Sequence, residues 1–305
     1  MSNRWTKQVL RSRNSLVQKA ASCLIPGGLF AALIEEQAGT DAFCTLSFDC
    51  DFPRDIEVLP EVLTMLQCYD VVASFACIGQ WVRRFPDAHS ALVASGHELV
   101  NHTETHPNLY HPDYDYARSD DLNRERFNQI GTSRRREEIE QCHQTFVELL
   151  DYEPRGFRTP HFGALHVDDV YPILADLGYR FSSSKLAAAP PSWGRPFYTA
   201  AGVWEFPLSP CPHHPFGVFD SWHSLSKRGA AHRGTGVLSG LFAELCAPIL
   251  AEGGYANIYF DPCDALSSGE LERILVEIGD SGLEMRTYGE LADELQSQAV
   301  AGADR

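Results

Sequence analysis

Short β-rich runs alternate with helical patterns from Phe43 onward, and this alternation restricts the fold more than any other feature. It is typical of βα units that build a parallel sheet. The predicted strands are Phe43–Asp49, Val71–Ile78, His97–Asn101, Gly156–Thr159, Arg180–Ser183, Val203–Pro207, Ala256–Phe260 and Leu283–Thr287. The predicted helices are Leu59–Cys68, Gln80–Ala94, Arg134–Leu150, Asp168–Leu177, Gly236–Glu252, Glu270–Ile278 and Tyr288–Gln296. Seven or eight such units favour an α/β fold, a distorted (β/α) barrel related to the TIM barrel, with an open doubly wound sheet as the alternative.

The 305 residues fit one barrel domain at 41–305, preceded by a helical extension at 1–40. The first 20 residues of the extension contain five basic residues and no acidic residue, and the apolar run Ala20–Ile34 follows. This layout imitates a signal peptide, but the Pro26–Gly28 segment interrupts the apolar run. We predict a basic amphipathic helix that is packed on the barrel or frayed in solvent, and export by a signal peptide and a helix lying on a membrane surface are the alternatives.

The charge and the cysteine content of the chain indicate which kinds of partner and which cellular compartment to expect. The 25 Lys+Arg residues against 41 Asp+Glu residues give a net charge of −16, which would repel a phosphate backbone, so we expect no nucleic-acid partner. The nine cysteines are odd in number and form no CxxC pair, which predicts reduced thiols in a cytoplasmic protein. The basic N-terminus predicts a weak contact with the inner face of the membrane.

Two long stretches, Asn108–Gln129 and Ala187–Arg233, exceed what simple connections require. We predict that they are loops that face the substrate. Barrel enzymes place their chemistry at the carboxyl ends of the strands, so the polar residues that directly follow the predicted strands are the candidates for catalysis.

Two predicted strands end in residues of the metal-binding type. The first opens into Asp49 and Asp51, two carboxylates two positions apart, and the third is followed by His102 and His106. The four-residue spacing of the histidines turns both rings one way over a helical turn, and Pro107 places them in a tight loop or single turn. Taken alone, each pair is also compatible with a purely structural role.

A third strand delivers Arg158 to the same end of the barrel. It would form a surface ion pair, or it would hold one carboxylate ionised and oriented as a general base requires. Asp51, His102 and His106 make a mixed oxygen and nitrogen set that suits zinc or a similar cation and leaves coordination open for water and substrate. A second carboxylate beside them is typical of metal-assisted hydrolysis of a carbonyl compound.

Three ordered motifs, Phe-Asp-x-Asp at 48–51, Asn-His-Thr-x-x-His-Pro at 101–107 and Arg-x-Pro-x-Phe at 158–162, resemble those of the NodB-type polysaccharide deacetylases, carbohydrate esterase family 4. The similarity runs from about Phe43 to Leu295. The resemblance implies that Asp49 is the base, that Asp51, His102 and His106 are the metal ligands and that Arg158 orients Asp49. It implies a divalent ion, with Zn2+ favoured and Co2+, Ni2+, Mn2+ or Fe2+ as alternatives.

One part of the family pattern is absent. Members of the family carry a histidine near the end of the barrel that protonates the leaving amine, whereas this chain has Ile-Tyr-Phe-Asp-Pro at 258–262. We expect Asp261 to be ionised near the cation and to orient a neighbouring histidine or the substrate. The acid would then be His214 or His223, from the 213–223 loop, or solvent.

The resemblance implies that the enzyme removes an acetyl group from an N-acetylated sugar or glycan precursor, for example in the biosynthesis of a surface glycan or O-antigen. Two other interpretations remain. The same metal chemistry would cleave another C–N bond, in a formamide or a cyclic amide. A degenerate barrel would bind a glycan without cleaving it, and the missing late histidine favours that interpretation.

Overall fold

A computed structural model describes residues 4–12, 14–38, 41–107, 123–189, 192–226, 230 and 232–303. All eight predicted strands are present in it. The strands are β1 Ala42–Cys50, β2 Ser74–Cys77, β3 Glu98–Asn101, β4 Gly156–Phe157, β5 Phe181–Ser182, β6 Phe197–Tyr198, β7 Trp204–Glu205, β8 Pro210–Cys211, β9 His214–Val218, β10 Gly254–Phe260 and β11 Glu284–Met285.

Seven strands run parallel in one sheet, in the order β10, β1, β2, β3, β4, β5 and β7, with β6 antiparallel to β7 and β11 paired with β1. Beyond β7 the chain returns to β10. There the Ser209 N–H donates to the Asn257 carbonyl oxygen at 2.9 Å, and Asp220 pairs with Tyr259 in parallel. These contacts curl the sheet into the predicted distorted (β/α) barrel rather than an open sheet.

Alternation along β1 decides which side chains face the inside of the barrel. Leu46 and Phe48 join the main apolar core between the sheet and its outer helices. Ser47 and Asp49 point to the opposite face, where both contact the buried Arg158. The barrel interior is therefore polar next to the carboxyl end of β1.

The outer layer consists of helices. They are α1 Arg4–Leu10, α2 Ser15–Leu24, α3 Pro26–Gln37, α4 Pro53–Glu57, α5 Leu59–Cys68, α6 Gly79–Arg84, α7 Pro86–Ala94, α8 Thr132–Leu150, α9 Val170–Asp176, α10 Val237–Glu252, α11 Pro262–Ser267, α12 Glu270–Ser281 and α13 Tyr288–Ala303. The single helix predicted for Gln80–Ala94 is wrong in one respect, because it divides into α6 and α7. Phe85 has φ −133° and ψ 57°, since the following Pro86 disfavours helical geometry there and starts the next helix.

The two stretches predicted as loops differ in the structure. Residues 108–122 of the stretch Asn108–Gln129 lie outside the described residues. The stretch Ala187–Arg233 is more regular than predicted, because it contains β6, the antiparallel hairpin β8–β9 and a π-helical turn at Trp222–Ser226. Strands of two to five residues show too little periodicity to be recognised from sequence.

The N-terminal segment forms α1, α2 and α3. Leu29 of α3 packs with Phe216 of β9, whereas Phe30 and Ile34 of the same helix belong to the main core. The division at residue 40 stays a prediction, but α3 and the barrel share one apolar core. Burial of large apolar side chains in that core stabilises the fold by about 1.5–3 kcal/mol each.

Two basic residues of this segment form ion pairs. Lys7 Nζ lies 3.2 Å from Glu35 Oε2 and 3.4 Å from Glu36 Oε1, and the Arg11 guanidinium lies 3.2 Å from Glu36 Oε1. Within the described part of the chain, no single helix is both long enough and apolar enough to cross a membrane. The bent pair Leu16–Leu24 and Pro26–Gln37 meets those criteria only when its two helices are taken together across a bend of 106°.

Candidate active site

The backbone of the loop that follows β3 turns so that the rings of His102 and His106 face the same point. Thr103 and His106 have positive φ angles of 69° and 50°, which residues other than glycine adopt at an energetic cost. The Thr103 N–H donates to Asn101 Oδ1 at 2.9 Å, and the His106 N–H donates to Thr103 Oγ1 at 3.1 Å. These side-chain bonds hold the backbone in a conformation that places both rings beside β1.

Asp51, His102 and His106, which we call the Asp51 set, bring three buried ligand atoms together. Asp51 Oδ1 lies 3.4 Å from His102 Nε2 and 3.5 Å from His106 Nε2. Tetrahedral coordination with bonds of about 2.0–2.2 Å would place such atoms about 3.4 Å apart. All three atoms lack a hydrogen-bond partner among the described residues, which is rare for buried polar atoms. The set therefore fits a divalent cation.

A hydrogen bond fixes the orientation of the His102 ring. Its Nδ1 lies 2.8 Å from the carbonyl oxygen of Arg158, a contact in which Nδ1 carries the proton and donates. The lone pair is then on Nε2, which faces Asp51. Such outer hydrogen bonds both orient a ligating imidazole and increase its basicity.

The charge states of the Asp51 set suit metal binding. Burial opposes the ionisation of Asp51, but the neighbouring His106 and His102 lower the pKa of the carboxyl below its ordinary value. Burial keeps the pKa of His106 well below its ordinary value, so this ring is neutral near pH 7. Burial would also lower the pKa of His102, but Asp51 and Asp49 raise it above its ordinary value.

Asp49 lies beside the Asp51 set and forms an ion pair with Arg158. Its Oδ1 accepts from the Arg158 guanidinium, and its Oδ2 lies 3.9 Å from His102 Nε2. Burial raises the pKa of Asp49 above its ordinary value, and the guanidinium opposes that rise. One carboxylate oxygen is thus held by an ion pair while the other faces the place where the ligand atoms converge.

Sequence reasoning missed the residues that hold Arg158. Its guanidinium donates to Ser47 Oγ at 3.0 Å, to Tyr288 Oη at 2.6 Å and to the Ser183 carbonyl oxygen at 3.2 Å. Tyr288 Oη donates in turn to Asn257 Oδ1 at 2.7 Å. Ser47 alternates with Asp49 along β1, which is a usable signal, whereas nothing in the sequence marks Tyr288 or Asn257.

A second carboxylate–histidine pair follows β9. His223 Nδ1 lies 2.6 Å from Asp220 Oδ2, and the His223 N–H donates to Asp220 Oδ1 at 2.6 Å. Asp220 is fully buried beside Tyr259 of β10, whereas the His223 side chain is 45% exposed. The pair therefore presents the outer edge of an imidazole to solvent with its other edge fixed by a carboxylate. Asp220 was not among the predicted site residues.

Asp261 directly precedes α11, and Ser221 joins it by hydrogen bonds to the segment that carries Asp220 and His223. Its Oδ2 accepts from Ser221 Oγ at 3.1 Å, and its N–H donates to the same oxygen at 2.7 Å. Burial and the nearby carboxylates, of which Asp264 and Asp55 act most strongly, raise the pKa of Asp261 well above its ordinary value. Without a cation these groups favour the neutral carboxyl, and the ionisation of Asp261 beside a bound cation stays a prediction. The carboxylate that orients His223 is Asp220.

A sequence profile described as polysaccharide deacetylase matches residues 37–182. The matched residues make up just under half of the chain, and over them the chain is similar to the polysaccharide deacetylases. The matched segment contains the Asp51 set, Asp49 and Arg158, and it ends before Asp220, His223 and Asp261. In this chain the half of the site that would supply an acid therefore rests on geometry alone.

Curated deacetylases match this chain over short segments. A chitooligosaccharide deacetylase of Sinorhizobium fredii is 44% identical over 64 residues, which are 21% of this chain and 29% of the relative. A peptidoglycan-N-acetylglucosamine deacetylase of Bacillus cereus is 35% identical over 116 residues, 38% of this chain and 35% of the relative. The chain thus spans about a third of the length of these relatives.

Solved structures agree on the fold. A protein of Mycobacterium smegmatis assigned to the polysaccharide deacetylases superposes with a TM-score of 0.65 at 17% identity, covering 85% of this chain and 92% of its own. A pseudoenzyme of carbohydrate esterase family 4 from Bacillus anthracis gives 0.53 at 15% identity, covering 83% and 66%. Since the fold holds both kinds of protein, the activity of this chain has to be argued from its own residues.

His214 lies in a different cluster from the rest of the predicted site. Its Nδ1 is 3.7 Å from Cys211 Sγ at the turn of the β8–β9 hairpin, and its ring lies beside His232. None of the described contacts joins it to Asp49 or to the Asp51 set. Of the two candidate acids, His223 has a ring held by a buried carboxylate, and its segment is joined to Asp261 through Ser221.

Proposed function

We propose that the chain is a metal-dependent amidohydrolase that removes the acetyl group from an N-acetylated sugar or glycan precursor. The observation that carries the proposal is the free oxygen of Asp49, which faces three buried ligand atoms that lack partners among the described residues. The match to the polysaccharide deacetylase profile supports deacetylation, and the relatives named above act on chitooligosaccharide and peptidoglycan N-acetylglucosamine.

Asp51, His102 and His106 would hold the ion, and their mixed oxygen and nitrogen donors favour zinc. When bound there, the ion supplies Lewis-acid polarisation of the amide carbonyl and a water of lowered pKa.

The protein's own groups would move two protons. Asp49 accepts a proton from the attacking water, whose oxygen bonds to the acyl carbon, while Arg158 keeps the carboxylate in place. When the C–N bond breaks, the imidazolium of His223 gives a proton to the amine nitrogen, and Asp220 holds the ring. Acetate and the free amino sugar leave.

We also propose that the protein works in the cytoplasm on a precursor of a surface glycan. All nine cysteines are free thiols in the structure, which supports a reducing compartment. A weak contact of the N-terminal segment with anionic lipid remains part of the proposal, although Lys7 and Arg11 already pair with Glu35 and Glu36.

The test is acetate release from a panel of N-acetylated sugars by the zinc-loaded protein. Asp49→Asn should keep the metal and lose about 10²–10⁴-fold in turnover, because an amide does not accept the water's proton. Asp51→Asn should lose metal as well. The exposed Asp280 on α12 offers a matched control, and Asp280→Asn should change neither property.

Three results would contradict the proposal. Equal metal loss in Asp49→Asn and Asp51→Asn would show that the base and ligand roles are wrongly divided. Formate or a ring-opened product in place of acetate would identify another C–N hydrolase. Glycan binding without any cleavage by the zinc-loaded protein would identify a binding barrel.

A further inference from the structure

Cys211, His214 and His232, which we call the Cys211 cluster, form a second group of metal-ligand side chains. Cys211 Sγ lies 3.7 Å from His214 Nδ1 and 3.9 Å from His232 Nε2. The three ligand atoms all lie within 4.8 Å of one another. No described contact joins the cluster to the Asp51 set.

The two short distances from one sulfur atom need a common explanation. A thiol has one hydrogen, so Cys211 donates to at most one ring and would have to accept from the other, and hydrogen bonds to sulfur are weak in both directions. Bonds of about 2.3 Å to sulfur and about 2.0–2.1 Å to nitrogen, at tetrahedral angles, would set sulfur and nitrogen about 3.5 Å apart. The observed distances are close to that value, and a cation would use both rings at once.

Burial and charge agree with a cation site. Cys211 and His232 are buried, whereas the exposed side chain of His214 leaves an entry path from solvent. Burial and the adjacent His214 and His213 lower the pKa of His232, so its ring is neutral and retains a lone pair near pH 7. Burial raises the pKa of the Cys211 thiol, so a cation would displace a proton from it.

The position of the cluster in the fold indicates its role. Cys211 and His214 flank the turn of the β8–β9 hairpin, and His232 lies just before α10. The backbone between them carries Asp220 and His223. A cation at this point would close that connection as a disulfide closes a loop, and it would thereby fix the segment that reaches β10.

We propose that Cys211, His214 and His232 bind a second divalent cation, zinc by donor chemistry, which holds the β8–β9 hairpin to the start of α10. A thiolate with two imidazoles is a borderline-soft set that selects zinc over magnesium or calcium. The fourth position is left to water or to a nearby side chain. The site is independent of the deacetylase proposal, since it shares no residue with the Asp51 set.

The experiment counts zinc in the full chain after zinc loading and removal of loosely bound metal. Wild type should hold about two ions per chain, and His214→Ala and Cys211→Ser should each hold about one. His106→Ala, which damages the Asp51 set, should also hold about one. The control Cys23→Ser removes an exposed thiol and should retain both ions.

Cobalt loading gives a second readout that does not depend on counting. Only the Cys211 cluster contributes a thiolate, so cobalt-loaded wild type should show thiolate-to-cobalt charge-transfer absorption in the near ultraviolet. This absorption should vanish in Cys211→Ser and persist in His106→Ala. A wild type that holds one ion, loses it in His106→Ala and shows no such absorption would overturn the inference. Because His214 is exposed, His214→Ala keeps the test valid if Cys211→Ser folds poorly.

Discussion

At the scale of single residues, we propose that the Asp220–His223 pair takes the role of the histidine that polysaccharide deacetylases carry near the end of the barrel. Asp220 is buried and accepts from both the ring and the backbone of His223. A general acid requires an oriented ring with one edge free for the leaving group, and His223 meets both conditions. Asp261 is joined to this pair through Ser221, so it acts on the position of the segment.

We expect His223→Ala to lower kcat/KM by about 10²–10³-fold and to flatten the alkaline limb of the pH–rate profile, since the acid must be protonated to act. Asp220→Asn should also lower kcat/KM, because the ring of His223 loses the carboxylate that orients it. His213, an exposed histidine of the same segment, provides the control His213→Ala, whose profile should match wild type. Loss of the alkaline limb only in Asp261→Ala would assign the acid to Asp261.

At the scale of elements, α8 supports the histidine loop from behind. Glu138 accepts from the Thr105 N–H and from Thr105 Oγ1, both at 2.8 Å, and its own carbonyl oxygen accepts from the Glu104 N–H at 3.0 Å. Burial raises the pKa of Glu138 above its ordinary value, and the bonds from Thr105 oppose that rise. The strained backbone at Thr103 and His106 thus depends on one buried carboxylate of a helix.

Glu138→Ala should weaken zinc binding at the Asp51 set by about 10–100-fold, the usual range when a supporting group of a metal site is removed. The loop would lose both bonds to Thr105, and the positive φ of His106 would be less well held. Glu137, the exposed neighbour on α8, gives the control Glu137→Ala. Competition with a zinc chelator measures both affinities, and equal affinities would show that α8 does not hold the loop.

The sequence predicted the strands and the polar residues at their ends because both are local features of the chain. The structure gathers Asp49, the Asp51 set and Arg158 at one end of the barrel for that reason. Asp220 was unpredictable, since its place depends on a bridge to Tyr259 across the barrel. Tyr288 reaches Arg158 from the start of the last helix, and no spacing in the sequence marks such a contact.

At the scale of the whole molecule, buried carboxyl groups accumulate at one end of the barrel. The charges of these carboxyl groups affect one another's pKa values. The groups are Asp49, Asp51, Asp55, Asp261 and Asp264. Asp55 accepts from the backbone N–H groups of Phe52 and Cys263 at 3.0 and 3.2 Å. Burial raises the pKa of Asp55 to about 8, with Asp51 and Asp264 adding to the rise and Arg54 opposing it.

The raised pKa of Asp55 predicts how the stability of metal-free protein depends on pH. The folded chain holds a proton that the unfolded chain releases above its ordinary pKa of 3.8, so this stability is complete below that value and is lost as pH rises to about 8. Asp55→Asn should remove a slope of up to about 1.4 kcal/mol per pH unit in that window. Urea unfolding of chelator-treated protein at several pH values measures it. Parallel stability profiles for wild type and variant would contradict the prediction.

The pairing of β1 with β10 has a consequence for how the chain is made. Ala42 of β1 lies opposite Gly254 of β10, so the ribosome synthesises β1 long before its neighbour β10. Contacts this distant in sequence form slowly, because a long loop must close before they bring any stabilisation. Until β10 emerges, one edge of β1 has open backbone groups that invite pairing with other chains. The strand that leads into Asp49 and Asp51 therefore reaches its final surroundings among the last, and nascent chains of this protein need protection for most of their synthesis.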